Sequence, residues 1–296
     1  MRIGLDIGGT KTDAVLIGPD NHIHRSLRYA TGRGADAVVD TIVHAVADVV
    51  RDESVDAIGI GIPGVVDTTS GHVFHAVNLD IAELDLARII EHRTAISVRV
   101  ENDVKAAALG AWHLLNLRGS AAYLNLGTGL SAGVVIHGEL WRGAWGSAGE
   151  LGHIPIDPQG PLCNCGQRGC LETVASGGGI ARWWESSAAF PVRDLFDRAD
   201  SGDPAAQQAR ERVVDGVASA LRILALTVDV ETIVIGGGLS RLGDRVILPV
   251  MARIRDWETH SPFVASLRLS SRILCAPHGA HLASIGAALI GVPTQR

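Results

Sequence analysis

A strand, a glycine-rich turn and a returning strand open the chain, and the same unit recurs near its middle. Residues 2–7 (RIGLDI) are apolar enough to be buried on both faces, Gly8 and Gly9 break the run, and Asp13 to Ile17 (DAVLI) resume it. In the second half Leu124–Leu126 leads into Gly127, Thr128 and Gly129, and Ser131–His137 (SAGVVIH) returns. Superposing the two copies sets Asp6 on Asn125, Gly8 on Gly127 and Val15–Ile17 on Val134–Ile136. The repeat predicts a duplicated α/β fold with a cleft between its halves, each turn offering backbone N–H groups to a phosphate chain. On geometry alone, two ordinary hairpins would read the same way.

Helical spacing of Val38, Val39, Ile42, Val43, Val46, Val49 and Val50 predicts an amphipathic helix over Ala35–Asp52. Further strands are expected at Ala57–Ile62, Ser97–Val100 and Thr232–Ile235, the last running into Gly236, Gly237 and Gly238. Helices are expected at about Asp103–Leu115, Ala205–Leu226, Asp244–Trp257 and Leu282–Ile290. The boundary falls near Gly119 and Ser120, giving a smaller α/β domain of residues 1–119 and a larger one of 120–283. A C-terminal helix of about 284–296 is expected to pack back on the first domain. At 296 residues, 47% hydrophobic and 20% charged, the chain can furnish both cores.

Several classes are set aside. The apolar stretch Ala57–Val66 ends at Asp67, and no run approaches the roughly 20 residues of a spanning helix. Asp6 sits where a signal peptide would place its apolar core, so a cytoplasmic protein is expected. The net charge is -6 with no basic stripe, which argues against nucleic acid as a partner.

The segment Asp6–Thr12 (DIGGTKT) has the parts of a nucleotide site. Gly8 and Gly9 let backbone approach phosphate oxygens, Thr10 and Lys11 supply donors, and Asp6 can hold Mg²⁺ directly or through water. A tight hairpin needs the same glycines. The P-loop pattern GxxxxGK[ST] does not occur, and the GxGxxG of Gly59, Gly61 and Gly64 has Pro63 in its turn and no amphipathic helix after it, so dinucleotide binding is disfavoured. The chain has two lysines, Lys11 and Lys105, and both fall in these motifs. Either an arginine bias left them there by chance or a compact ammonium does what a planar guanidinium cannot.

His153, Cys163, Cys165 and Cys170 spell Hx9CxCx4C in a Pro- and Gly-rich stretch. Four such ligands within twenty residues predict a closed tetrahedral structural zinc site. A disulfide framework is the rival, yet it leaves His153 unexplained and does not suit a reducing compartment. The fourth cysteine, Cys275, is expected in the core on a strand. Asn102–Asp103 closes a strand and opens a helix, which fits either a helix cap or a base that takes a hydroxyl proton. Glu150 and Glu172 flank the zinc ligands, either as solvated loop carboxylates or as acceptors for sugar hydroxyls.

Together these residues resemble the ROK family of repressors, uncharacterised reading frames and sugar kinases. The resemblance rests on DIGGTKT, GIPGVVD (Gly61–Asp67), ENDVKAAALG (Glu101–Gly110), LGTG (Leu126–Gly129), GELGH (Gly149–His153), CNCGQRGCLE (Cys163–Glu172) and IGGGLS (Ile235–Ser240). It implies a two-domain actin-like, hexokinase-like ATPase fold that binds ATP, Mg²⁺ and a sugar. Carried over, Asp103 is the general base for a sugar 6-hydroxyl. Asn102, Glu150, His153, Glu172, Asn78 and the Gly64 backbone hold the sugar, with one His153 nitrogen on zinc and the other toward the substrate. Gly8, Gly9, Thr10, Lys11, Gly127, Thr128 and Gly129 line the phosphates, and Gly237 and Gly238 lie near adenosine. The family implies a homodimer.

The chain departs from the family at Val104, Lys105 and Ala111, where Ala, Asn and Glu are usual, and at Ser131 and Ala132, where two glycines usually follow the second loop. Glucose is the favoured acceptor, with N-acetylglucosamine or N-acetylmannosamine as the alternative; Val65 stands where N-acetylmannosamine kinases tend to have Arg. Family repressors carry a DNA-binding helix-turn-helix ahead of the DIGGT strand, which here begins at residue 2. A non-catalytic sugar sensor is a further rival, disfavoured by the intact Asp103 and Gly loops.

Overall fold

The computed structural model describes residues 1–51 and 53–291. Strands β1 (Arg2–Ile7), β2 (Lys11–Ile17) and β3 (Ile23–Ala30) follow one another as an antiparallel meander. Helix α1 (Ala35–Val50) puts Val38, Val39, Ile42, Val46 and Val49 on one buried face, each contributing roughly 1.5–3 kcal/mol relative to exposure. Asp52, the last residue of the predicted helix, lies outside the described residues.

Strand β4 (Ala57–Ile62) is buried at every position. It leads into a small antiparallel sheet of β5 (Val65–Asp67), β6 (His72–Ala76) and β7 (Ile81–Asp85). The sequence does not predict this sheet, because strands of three to five residues with partly exposed side chains carry too few periods to register. Helix α2 (Leu86–Thr94), strand β8 (Ser97–Asn102) and helix α3 (Asp103–Leu114) complete the first half. The main sheet is ordered β3-β2-β1-β4-β8, with the β1–β4 and β4–β8 pairs parallel.

The second half contains β9 (Ser120–Leu126), β10 (Leu130–Ile136), β11 (Glu139–Leu140), α4 (Glu172–Ala175), α5 (Gly177–Trp183), α6 (Pro191–Asp200) and α7 (Pro204–Thr227). It ends with β12 (Thr232–Gly236), α8 (Asp244–His260), α9 (Pro262–Ser266), β13 (Ile273–Cys275) and α10 (Leu282–Ile290). Asp203 starts α7 by accepting hydrogen bonds from Ala205 N and Ala206 N, with Pro204 in the first turn where no amide is missed. The second sheet is ordered β11-β10-β9-β12-β13, and its β9–β12 and β12–β13 pairs are parallel. Position for position this repeats the first sheet, as a duplicated fold requires.

The chain forms two compact units: residues 1–119, 133–148 and 279 onward, and residues 120–132 and 149–278. The predicted second domain included residues 133–148; they group with the first unit, where Gly133 lies against α3 so tightly that a Cβ would come 2.6 Å from the Ala108 Cβ. Helix α10, in the same unit, packs on α3, β1 and β4. A Cβ on Gly59 would stand 1.7 Å from the Ala287 carbonyl oxygen, and one on Gly286 1.7 Å from that of Ala106. The first glycine of the GxGxxG run therefore serves helix packing. Residues 292–296 of the predicted helix lie outside the described residues. Cys275 is a correction: it lies on strand β13 as expected, but that strand is the sheet edge and the thiol is exposed.

Candidate functional site

In the first unit the acidic residues converge. Asp6 of β1 pairs in register with Asp13 of β2 and Gly61 of β4. Burial, followed by the negative charges of Asp103 and Asp13, pushes the Asp6 carboxyl up to about 8, against the pull of Lys11 and Arg28. Asp13 is held by Arg28, whose Nε and Nη2 donate over 2.5 and 3.0 Å. A carboxyl group raised by burial and like charge is one that a hard cation would discharge, so Asp6 fits the oxygen chemistry of Mg²⁺.

Asn102 is the N-cap of α3. Its Oδ1 accepts from Val104 N (3.0 Å) and Lys105 N (3.2 Å), while its Nδ2 donates to the Gly64 carbonyl over 3.2 Å. The capping role, one of two readings of the Asn102–Asp103 pair, thus belongs to Asn102, and Asp103 occupies the first turn, where its Oδ1 accepts from Val104 N (2.9 Å). Gly64 itself has φ 104, and a Cβ there would meet the Phe74 carbonyl at 2.6 Å. Gly9 approaches Asn78, whose carbonyl oxygen would lie 3.2 Å from a Cβ on Gly9. Thr10 and Lys11 are exposed on the turn, whose Gly8 N donates to Lys11 O over 3.0 Å. The turn residues, Gly64, Asn78, Asn102 and Asp103 therefore lie in one unit.

Two buried charges beside Asp103 were not predicted as site residues. Glu101, 2% exposed, accepts from Asn102 N over 3.0 Å and from Arg142 Nε over 2.7 Å. Lys105, 6% exposed, donates from Nζ to the Gly146 carbonyl over 2.5 Å. Both tie the start of α3 to the 142–146 loop. The sequence signals were the pair of charges bracketing Asn102–Asp103 and the scarcity of lysine that marked Lys105.

In the second unit, Cys163 Sγ stands 3.7 Å from His153 Nδ1 and Cys165 Sγ stands 3.6 Å from Cys170 Sγ. All four ligand atoms fall within 4.8 Å of one another. A tetrahedron with Zn–S bonds of about 2.3 Å has edges of about 3.8 Å, so the cluster fits zinc in size and chemistry. All four cysteines of the chain are free. Burial pushes the Cys163 and Cys170 thiols up, whereas hydrogen bonding from Gln167 pulls Cys165 down to about 6. A metal would have to displace the protons of the two buried thiols.

Glu172 opens α4 beside this cluster. Its Oε1 accepts from Cys163 Sγ over 3.0 Å and lies 3.9 Å from His153 Nδ1, while its Oε2 would be 3.3 Å from a Cβ on Gly129. One carboxylate thus spans the cysteine cluster and the second glycine turn. Glu150, by contrast, is exposed, and its backbone carbonyl accepts from His153 N.

That turn is closed by Gly127 N donating to Gly129 O (3.1 Å) and is braced by Gly177 N on Gly127 O (2.8 Å) and Gly178 N on Thr128 O (2.9 Å). Gly237, at φ 91, lies so close to the end of β9 that a Cβ would meet the Leu126 carbonyl carbon at 2.5 Å. Gly127, Thr128, Gly177, Gly178 and Gly238 line a cavity of about 540 Å³. Its other walls, among them Phe190, Arg193 and Arg241, were not predicted. The Gly177–Gly178–Gly179 run was the available signal.

Residues 2–292 match the model of the ROK family. Among curated proteins, a glucokinase of Thermotoga maritima is 35% identical over 276 residues, covering 86% of this chain and 87% of that protein. An N-acetylmannosamine kinase of Escherichia coli O139:H28 is 32% identical, covering 80% and 82%. Among solved structures, a ROK family glucokinase from Streptomyces griseus in complex with glucose and AMPPNP superposes with a TM-score of 0.82 at 31% identity, covering 98% of both chains.

Proposed function

The chain belongs to the ROK family, and on that premise we propose that it is an ATP-dependent sugar kinase that transfers the γ-phosphoryl group to the 6-hydroxyl of glucose. Its fold is the two-domain actin-like, hexokinase-like type. The observation that carries the reading is the start of α3: Asn102 caps the helix and Asp103 stands in its first turn, close enough to the half-buried Asp6 for its charge to raise that carboxyl.

Asp103 takes the proton from the attacking hydroxyl, a role that contributes roughly 10² to 10⁴ in rate. Asp6 would hold Mg²⁺, which when bound with the nucleotide would supply charge neutralisation on the phosphates. Backbone N–H groups of the Gly8–Lys11 and Gly127–Gly129 turns position those phosphates, and Gly237 and Gly238 adjoin the nucleoside. Asn102, Glu150, His153, Glu172, Asn78 and the Gly64 backbone hold the sugar. His153, Cys163, Cys165 and Cys170 would hold a zinc that braces that segment, with one His153 ring nitrogen toward the metal and the other left for a sugar hydroxyl. Identity to glucokinases over most of the chain supports glucose as the acceptor; similarity to N-acetylmannosamine kinases makes N-acetylhexosamines the second reading.

Homodimerisation and a cytoplasmic location complete the reading. Trp145 (91% exposed) and Val77 (81% exposed) are large apolar side chains left at the surface, and no described helix is long and apolar enough to cross a membrane. A coupled assay with ATP over glucose, mannose, fructose, allose, N-acetylglucosamine and N-acetylmannosamine tests the central claim. The expected result is a kcat/KM for glucose at least about tenfold above the rest. Preference for an acetamido sugar would transfer the assignment to the second reading, and ATP consumption with none of them would leave a sugar sensor.

A further inference from the structure

The cavity of about 540 Å³ beside the second glycine turn has an unusual wall for a purine site. Its larger side chains are Phe190, Val192, Leu239 and Leu242, together with the guanidinium groups of Arg193 and Arg241. Among the described residues Thr128 is the only short hydroxyl there, and no carboxylate or carboxamide side chain lines the space. Phe190 is 71% exposed, so its ring is not engaged in the core. Among the described residues neither the Arg193 nor the Arg241 guanidinium forms a hydrogen bond or ion pair, whereas Arg198, Arg210, Arg245, Arg253 and Arg272 of the same unit pair with Asp or Glu.

Telling adenine from guanine requires a group that reads the edge of the base. Adenine presents a donor at its exocyclic nitrogen where guanine presents an acceptor, and an accepting group fixed at that edge, a side-chain oxygen or a backbone carbonyl, would select between them; the side chains here supply no such oxygen beyond Thr128. Guanidinium groups only donate, and they find acceptors on both purines. Shape and apolar contact separate similar ligands by about 10- to 200-fold at most, whereas a buried hydrogen-bonding partner separates them by about 10⁴.

From this lining we infer that the donor's base is held by its faces, against Phe190 and the two guanidinium groups, and that the protein uses GTP as well as ATP. The inference deepens the kinase reading and rests on it for turnover, though not for binding.

Calorimetric titration of the protein with the non-hydrolysable β,γ-imido analogues of ATP and GTP reads the cavity directly. Initial rates of glucose phosphorylation with ATP and GTP read its consequence. The two analogues should bind within about tenfold of each other, and kcat/KM for the two donors should agree as closely. Phe190→Ala, a change at an exposed position, should weaken both analogues alike by about tenfold and leave the KM for glucose unchanged. A GTP analogue bound more than about 100-fold more weakly, or a Phe190→Ala variant binding both analogues as the parent does, overturns the inference. Equal binding with no phosphorylated sugar from either donor would uphold it and sink the kinase reading instead.

Discussion

The side-chain amide of Asn102 donates to the carbonyl of Gly64 over 3.2 Å while its oxygen caps α3. One residue therefore fixes two backbones, the first turn of the helix that carries Asp103 and the tight turn after β4. Replacing Asn102 with Ala should remove the cap, at a cost of about 0.5–2 kcal/mol, lowering Tm by several degrees and raising the KM for glucose. Asn102→Asp keeps the capping oxygen but not the donor to Gly64, so it should restore most of the Tm and not the KM. A thermal melt beside a glucose titration separates the two, and equal KM values for parent and both variants would deny the Gly64 link any role.

Asp103→Asn should lower kcat by roughly 10² to 10⁴ and leave glucose affinity within a few-fold, since the amide keeps the shape of the carboxylate and loses its basicity. Single-turnover rates and calorimetric glucose binding check both halves. Near-parental kcat would remove Asp103 from the role of base.

Asp6 makes the metal-free protein sensitive to pH. Its carboxyl titrates near 8 in the folded chain, against 3.8 as the ordinary value. An acid raised on folding binds its proton more tightly in the native state, so it costs no stability below about pH 4 and an increasing amount as pH rises toward 8. In EDTA, Asp6→Asn should melt at the parent's temperature near pH 4 and several degrees above it at pH 8, while losing activity in Mg²⁺. Parallel Tm profiles across that range would show that burial does not perturb this group.

The cysteine cluster should hold one zinc per chain by elemental analysis. Cys165→Ser, or prolonged exposure to a strong chelator, should lower zinc content and weaken glucose binding together, because Glu172 and His153 are positioned by the same segment. Zinc uptake should release protons, since burial keeps the Cys163 and Cys170 thiols protonated without metal. A fully active, zinc-free preparation would contradict the proposed bracing role.

Local patterns carried the elements far. The helical spacing of Val38 through Val49 and the all-apolar run Ala57–Ile62 give α1 and β4 in the structure, and the paired glycine turns gave the duplicated sheet order. Short β5, β6 and β7 escaped, because their register depends on partners five to thirteen residues away and not on any repeat of their own. Cys275 was misjudged for a related reason: its strand was legible, but whether a strand is central or at an edge is decided by its neighbours.

By itself the sequence determined which residues can do chemistry: the ligand set Hx9CxCx4C, the glycine turns, and Asn102–Asp103 at a helix start. Only the tertiary structure decided how those groups are held. It gave Glu101 to Arg142 and Lys105 to Gly146, placed one carboxylate of Glu172 between the cysteines and Gly129, and opened a cavity walled by Phe190, Arg193 and Arg241. Residue type and spacing along the chain fix hydrogen-bonding capacity and local geometry, whereas burial, partner and charge environment arise from segments dozens of residues apart meeting when the chain folds.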